Sequence, residues 1–364
     1  METSGKPVIE CRGLWKIFGD RTKKVIEAVI EHGLSKDEIR DQYNAVVGVQ
    51  DASFSVGEGE IFCIMGLSGS GKSTLIRHVN RLIEPTYGEV LIEGQDINSL
   101  NETDLRALRS TKIGMVFQNM ALMPHRTVRD NVAFAQEVRG VGKQERYETA
   151  QEAIATVELS GWEDRYPDEL SGGMQQRVGL ARAIAANPHI LLMDEPFSAL
   201  DPLIRRQLQD QFMELAGKMS KTTLFITHDL DEAIRIGDRI AIMKDGALVQ
   251  VGTPEEIVTN PVDDYVKDFV AGISKLELVT ASKVMQPMEE YASVTGKVEL
   301  GECPVARPDD NLDTLVNLSV DTNHPIIIRS DNQVVGVVTK RALLRGIQGR
   351  LYETEVDSTS VSGD

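Results

Sequence analysis

The chain has 364 residues, 41% of them hydrophobic and 26% charged, the composition of a folded globular protein long enough for two or so domains. Its 56 acidic residues outnumber 39 basic ones, and the formal net charge of −17 argues against a surface that neutralises nucleic-acid phosphates or adheres to anionic lipid. No apolar run approaches the ~20 residues that cross a bilayer, the start Met1-Glu-Thr-Ser-Gly-Lys-Pro7 has no apolar signal core, and Cys11, Cys63 and Cys303 lie too far apart for a C-x-x-C pair, as expected of a protein of the reducing cytoplasm.

Residues 8–19 alternate loosely and read as an edge strand that ends at an aromatic, Phe18, before a turn at Gly19. Phe18 is placed either to lie flat on an adenine ring or to close the strand end in the core. Residues 21–46 look like an insertion: Val25, Ile26, Val29 and Ile30 recur at helical spacing, and Ser35-Lys-Asp-Glu38 is a capping-box start for a second short helix. Then comes Ile61-Phe-Cys-Ile-Met65, an apolar run of strand type, followed by Gly66-Leu-Ser-Gly-Ser-Gly-Lys-Ser-Thr74 and a stretch able to continue as helix. Strand, glycine-rich loop and helix in that order form a phosphate cradle. Gly69 and Gly71 let the backbone turn successive N–H groups inward, while Gly66, Ser68, Ser70 and Thr74 complete the loop. Lys72 is expected to reach the β- and γ-phosphates of a nucleoside triphosphate, and the Ser73 hydroxyl to ligate Mg²⁺.

Glu89–Glu93 and Ile113–Phe117 read as further strands, the second ending at Gln118. From Thr127 to about Asn187 the pattern is helical, broken at Gly140, Gly142, Gly161 and Pro167. Ile190-Leu-Leu-Met193 closes on Asp194 and Glu195, the signature of a buried parallel strand with a polar tip, and Thr223–His228 repeats that design. A helix is expected from Asp201, with Pro202 in its first turn. Strands and helices alternate throughout, which predicts an α/β fold with a mainly parallel sheet and a helical insert. A closing helix is expected between Asn260 and Gly272. From about Val279 the character changes to a small α+β domain, with a helix over Asn311–Leu318, strands at Pro325–Ile328 and Val334–Val338, and a helix from Lys340. The acidic, Ser-rich end, 351–364, reads as disordered.

One further stretch changes the functional reading. Leu170-Ser171-Gly172-Gly173-Met174-Gln175-Gln176-Arg177 opens a helix, with Ser171 as cap and two glycines exposing N–H groups. It is a second anion-binding helix start in one domain, and one cradle cannot use both. Two copies facing head to tail, each closing the other's nucleotide, solve this.

These residues together resemble ATP-binding cassette (ABC) proteins from residue 8 to about 272, which implies a cassette domain at 1–272 with a helical subdomain at about 124–187: the phosphate loop, Gln118, the signature Leu170–Gln176, Asp194-Glu195, Ser198-Ala-Leu-Asp201 and His228. The resemblance implies an ABC-type P-loop ATPase, a homodimer of cassettes with two ATP between the phosphate loop of one copy and Ser171, Gly172, Gly173, Gln175 and Asp201 of the other. Asp194 would hold Mg²⁺, Glu195 would accept the proton of the attacking water, Gln118 would touch metal and water, and His228 would hydrogen-bond the γ-phosphate.

The insertion, Ile64–Gly71, Arg81–Pro85, Ala121–His125 and Asp201–Ile204 resemble more narrowly the ATP-binding subunits of quaternary-ammonium importers of the glycine betaine, proline betaine and choline class. That implies transmembrane permease subunits docked near Gln118, an extracytoplasmic substrate-binding protein, and a peripheral position on the cytoplasmic face of the inner membrane. The segment 279–350 resembles a cystathionine-β-synthase (CBS) type regulatory domain, partly degenerate; its Gly336-Val-Val-Thr339-Lys-Arg-Ala342 run has Ala342 where nucleotide-binding versions carry a ribose-holding Asp. The rival reading, a soluble ABC ATPase working on another macromolecule, normally brings paired cassettes, heptads or basic arms. No Asn-Lys-x-Asp guanine-reading sequence supports a GTPase switch.

Overall fold

The computed structural model describes residues 6–19, 22–288, 290–291, 303–320, 322, 324–331 and 333–348. Two compact units, Met1–Thr253 and Pro254–Asp364, divide the chain ahead of the expected boundary near 272.

The first unit holds two sheets. Strands β1 (Ile9–Phe18), β2 (Val46–Val56), β4 (Tyr87–Ile92) and β5 (Gln95–Asp96) form an antiparallel sheet in the order β2-β1-β4-β5. Strand β1 is therefore an inner strand, not the expected edge: Ile9 pairs with Val56 on one side and Ile92 on the other, as its buried alternate residues require. The second sheet has the order β10-β9-β3-β8-β7-β6, built from β3 (Ile61–Met65), β6 (Ile113–Val116), β7 (Ile190–Asp194), β8 (Thr222–Thr227), β9 (Arg239–Lys244) and β10 (Ala247–Gly252). Every pair in it is parallel except β9 with β10. Strands β3, β7 and β8 are buried at every residue, which is why β3 and the first four residues of β7 read as continuous apolar runs rather than alternating ones and β8 as apolar residues flanked by threonines. Phe62, Ile64, Leu192, Leu224 and Ile226 from this sheet share one core with Ile9, Leu14, Val49 and Val90 of the other.

Helices α1 (Thr22–His32) and α2 (Lys36–Tyr43) form the insertion between β1 and β2. Both halves of the capping box are present, Ser35 Oγ accepting from the Glu38 N–H at 3.3 Å and the Glu38 carboxylate from the Ser35 N–H at 2.8 Å. Val25, Ala28, Val29 and Ile39 are buried against Trp15, Ile17 and Val47, whereas Ile30 is exposed. Helix α3 (Lys72–Val79) follows β3, and α4 (Glu102–Thr111) precedes β6. The helical insert comprises α5 (Val128–Val138), α6 (Lys143–Thr156) and α7 (Gly172–Ala185), interrupted where the glycines and Pro167 stand. Helix α8 (Pro202–Met219) starts at the Asp201 cap, and α9 (Leu230–Ile236) follows β8.

The second unit opens with α10 (Pro254–Thr259), α11 (Asp264–Val270) and α12 (Ala281–Val284). It continues through β11 (Val305–Ala306), α13 (Leu312–Ser319), β12 (Ile326–Ser330), β13 (Gln333–Val338) and α14 (Lys340–Ile347), with sheet order β11-β12-β13. Leu312, Leu315, Ile326, Ile328, Val338 and Leu343 form its core. Residues 351–364, expected to be disordered, lie outside the described residues, as does 292–302.

Candidate functional site

The phosphate loop is shaped from outside by the sheet. Gly66 has φ +153°, and a Cβ there would meet the Met243 carbonyl oxygen at 2.1 Å; at Gly71, φ +110°, one would meet the Gly48 carbonyl oxygen at 2.2 Å. Only glycine can stand at either position. The loop is pinned by the Gly246 N–H, which donates to the Ser70 carbonyl at 2.8 Å. Lys72, the first residue of α3, is only 5% exposed and donates from Nζ to the Gly66 and Leu67 carbonyls at 2.7 and 3.0 Å. Burial pulls its pKa down, and the carboxylates of Glu195 and Asp194 push it back up.

Ser73 lies one residue on and donates from Oγ to Asp194 Oδ1 at 2.8 Å. Asp194, at the tip of β7, is fully buried; burial raises its pKa, opposed by the Ser73 hydroxyl and by Arg77, whose guanidinium lies 3.5 Å from Oδ2. Glu195 stands in the left-handed region at φ +50°. Its backbone is held there from several sides: its N–H donates to the Ile226 carbonyl at 3.0 Å, and its carbonyl accepts from Ser198 Oγ at 3.0 Å and Gln176 Nε2 at 3.2 Å. Such a conformation costs on the order of 1 kcal/mol and persists where neighbours over-determine it. The Glu195 side chain receives the other two polar tips, Gln118 Nε2 donating to Oε2 at 3.3 Å and His228 Nδ1 lying 3.1 Å from the same oxygen. The C-terminal ends of β6, β7 and β8 thus converge on one carboxylate beside the phosphate loop.

The residues expected to serve a second copy stay apart from this group. Ser171 Oγ caps α7 at the Met174 N–H, Gln175 Nε2 donates to the Pro167 and Leu170 carbonyls, and Asp201 accepts from the Ile204 N–H. Gly172 has no neighbour where a Cβ would stand, and Gly173 only Leu200 at 3.2 Å and the Ala199 carbonyl. Phe18 is 44% exposed with Lys16 Nζ 5.2 Å from the ring centre, so the strand-end core alternative does not hold. The ring packs over Gly48, the residue whose carbonyl backs Gly71, which sets Phe18 beside the loop through one strand.

Two residues of this group were not singled out by sequence reading. Arg77 follows Ser73 by four positions on α3, a spacing that puts both on one helix face and was legible in the sequence. Gln176 is buried and bonds to Glu195 and to the Ala199 N–H, contacts that only tertiary packing brings about.

The residues present fit a Mg²⁺–triphosphate. Ser70 Oγ is buried in the loop without a hydrogen-bond partner, and Ser73, Asp194 and Gln118 supply hard oxygen donors, too few to satisfy the ion without phosphate oxygens and water. Near Gln118 opens a cleft of about 520 Å³ among α4, β6, α5 and α7, lined by Phe117, Met123, Phe134, Val138, Arg139 and Arg182.

Residues 49–198 match the family model for ABC transporters. The chain is 50% identical over 351 residues to the glycine betaine/proline betaine transport system ATP-binding protein ProV of Salmonella typhimurium, covering 95% of this chain and 85% of that protein. It is 47% identical to the trimethylamine N-oxide transport system ATP-binding protein TmoW of Ruegeria pomeroyi, over 94% of this chain and 98% of that one. A solved dimeric structure of the ATP-binding cassette MJ0796, in a post-hydrolysis state with ADP and Pi, superposes with a TM-score of 0.59 at 31% identity, covering 68% of this chain and 98% of the other. The phosphate loop, the converging strand tips and this likeness over nearly the whole length make the chain a member of the ABC transporter family, of the ATP-binding subunits of its transport systems.

Proposed function

We propose that this chain is the ATP-hydrolysing subunit that powers uptake of a quaternary-ammonium or related methylamine osmolyte through a partner permease. The observation that carries the hydrolytic reading is the meeting of Gln118, Glu195 and His228 on one carboxylate next to Lys72, Ser73 and Asp194. The solute class rests on the relatives, named for glycine betaine, proline betaine and trimethylamine N-oxide transport.

Phosphoryl transfer to water needs charge neutralisation and an oriented nucleophile. Lys72 turns from the loop carbonyls to the terminal phosphates. Ser73, Asp194 and Gln118 are the residues that would hold Mg²⁺, which when bound neutralises phosphate charge. Glu195 accepts the proton of the attacking water; Gln118 orients that water, and His228 exchanges its bond to Glu195 for one to the γ-phosphate. Phe18 stacks on the adenine, while Ser171, Gly172, Gly173 and Gln175, with Asp201 beside them, come from a second copy to close over the nucleotide. The apolar cleft beside Gln118 suits a permease segment, so that phosphate contact at Gln118 is felt there. Among the described residues no helix is long and apolar enough to cross a membrane, which agrees with a peripheral subunit on the cytoplasmic face, served by an extracytoplasmic binding protein. Residues 279–350, within the second unit, are assigned on resemblance to a CBS-like regulatory domain, and residues 1–272 to the cassette with its closing helix, although the compact units divide earlier, at Thr253.

Proteoliposomes carrying the chain with its permease and binding protein are expected to take up labelled glycine betaine when ATP is inside. Intact ATPase activity with no uptake of glycine betaine, proline betaine, choline or trimethylamine N-oxide would overturn the solute class. Glu195→Gln is expected to bind ATP, dimerise and not hydrolyse; turnover at the unmodified rate would exclude Glu195 as the base.

A further inference from the structure

Nothing in ATP hydrolysis calls for the helical insertion, yet its position relates it to the nucleotide. The chain leaves β1 at Phe18, builds α1 and α2, and returns to pair Val46 with Phe18. The pair of helices is fixed by its own apolar cluster on Trp15 and Ile17, and the Ser35–Glu38 capping box sets the direction in which α2 begins. The first residue of α2 is Lys36, whose Nζ donates to the Gly69 carbonyl of the phosphate loop at 3.4 Å. This long contact is the one side-chain hydrogen bond of Lys36 among the described residues, and an ammonium carries three donors. Burial lowers the Lys36 pKa, with the Asp245 charge opposing it. Gly69 itself has no atom within 4 Å of where a Cβ would stand, so this side of the loop is open.

We infer that Lys36 is a second phosphate-binding lysine, delivered to the loop by the insertion: with a polyphosphate seated, its ammonium passes from the Gly69 carbonyl to a phosphate oxygen on the open side. The inference rests on the ATP-site reading and deepens it. The insertion then spans the nucleotide from the aromatic that meets the base to the loop that holds the phosphates.

The test compares ATP binding by the full-length protein with that of Lys36→Met, Lys36→Arg and a control on the outer side of the insertion, Lys23→Met, at several salt concentrations. Lys36→Met is expected to weaken ATP binding about three- to tenfold, with a shallower salt dependence, while its nucleotide-free Tm is unchanged. Lys36→Arg and Lys23→Met are expected to bind as the unmodified protein does. Equal affinity of Lys36→Met and unmodified protein would overturn the inference, and so would a loss of affinity with unchanged salt dependence, the mark of a lysine that only props the loop. Failure of the unmodified protein itself to bind ATP would instead sink the ATP-site reading.

Discussion

Gln176, the fifth residue of α7, reaches the main chain of Glu195, donating from Nε2 to the Glu195 carbonyl at 3.2 Å while its Oε1 accepts from the Ala199 N–H at 3.1 Å. One amide thereby joins the first turns of α7 to the main chain at the tip of β7. It also helps hold Glu195 at φ +50°.

Gln176→Leu leaves the half-buried Ala199 N–H without this partner and takes one of the bonds from the Glu195 carbonyl, which keeps that of Ser198 Oγ, at a cost of about 1 kcal/mol. Its effect on kcat is expected to be larger than on ATP affinity, about tenfold or more, because Glu195 loses its alignment while the phosphate loop is untouched. Equal losses in both quantities would show that Gln176 supports the fold alone.

At the loop, Gly66→Ala is expected to abolish ATP binding and to lower stability by about 2–3 kcal/mol. The added Cβ would stand 2.1 Å from a main-chain oxygen of Met243, which has no flexible end to move. Equilibrium unfolding with and without ATP measures both effects; an Ala variant that keeps ATP-induced stabilisation contradicts the cradle geometry.

Lys72→Ala removes a cation whose two loop contacts, at 2.7 and 3.0 Å, are to main-chain carbonyls of the loop itself and tie it to no other element. ATP affinity is expected to fall roughly tenfold or more with little change in nucleotide-free stability. Calorimetric titration showing undiminished affinity would rule out the assigned role.

Glu232, at the start of α9, is 7% exposed and accepts from Gln209 Nε2 at 2.8 Å. Burial raises its pKa and Asp229 adds to this, against the hydrogen bonds from Thr227 and Gln209 and the charge of Arg205. A raised pKa means that the folded protein binds this proton more readily than the unfolded chain, so the Glu232 contribution is full below the ordinary glutamate range and is lost as pH climbs through the folded value. Glu232→Gln is therefore expected to match the unmodified protein at acid pH and to exceed its Tm toward neutrality. Parallel Tm curves across that range would show that Glu232 does not titrate differently in the two states. Asp194, raised for the same reason, contributes a slope of the same sign that this comparison leaves in place.

The sequence by itself determined most of the cassette, because its signals are local. The loop Gly66–Thr74 needs glycines at fixed spacing, Ser35 and Glu38 cap each other within one turn, and the buried strands declare themselves as short apolar stretches, Ile190–Met193 ahead of Asp194 and Leu224–Ile226 ahead of Thr227 and His228. The α+β pattern after residue 300 was legible in the same way, through the Asn311 cap and the two short strands. What only the tertiary structure decided was pairing. Strand β1 became an inner strand because β4, some 70 residues away, fills its second edge. Gln118, Glu195 and His228 meet because β6, β7 and β8 lie side by side, while the bonds of Gln176 to Glu195 and of Lys36 to Gly69 come from helices that the sequence located without showing what these side chains would touch. A hydrogen bond between residues distant in sequence leaves no periodicity behind; it exists once the sheet has set the strand ends at one height and the core has fixed the helices against them.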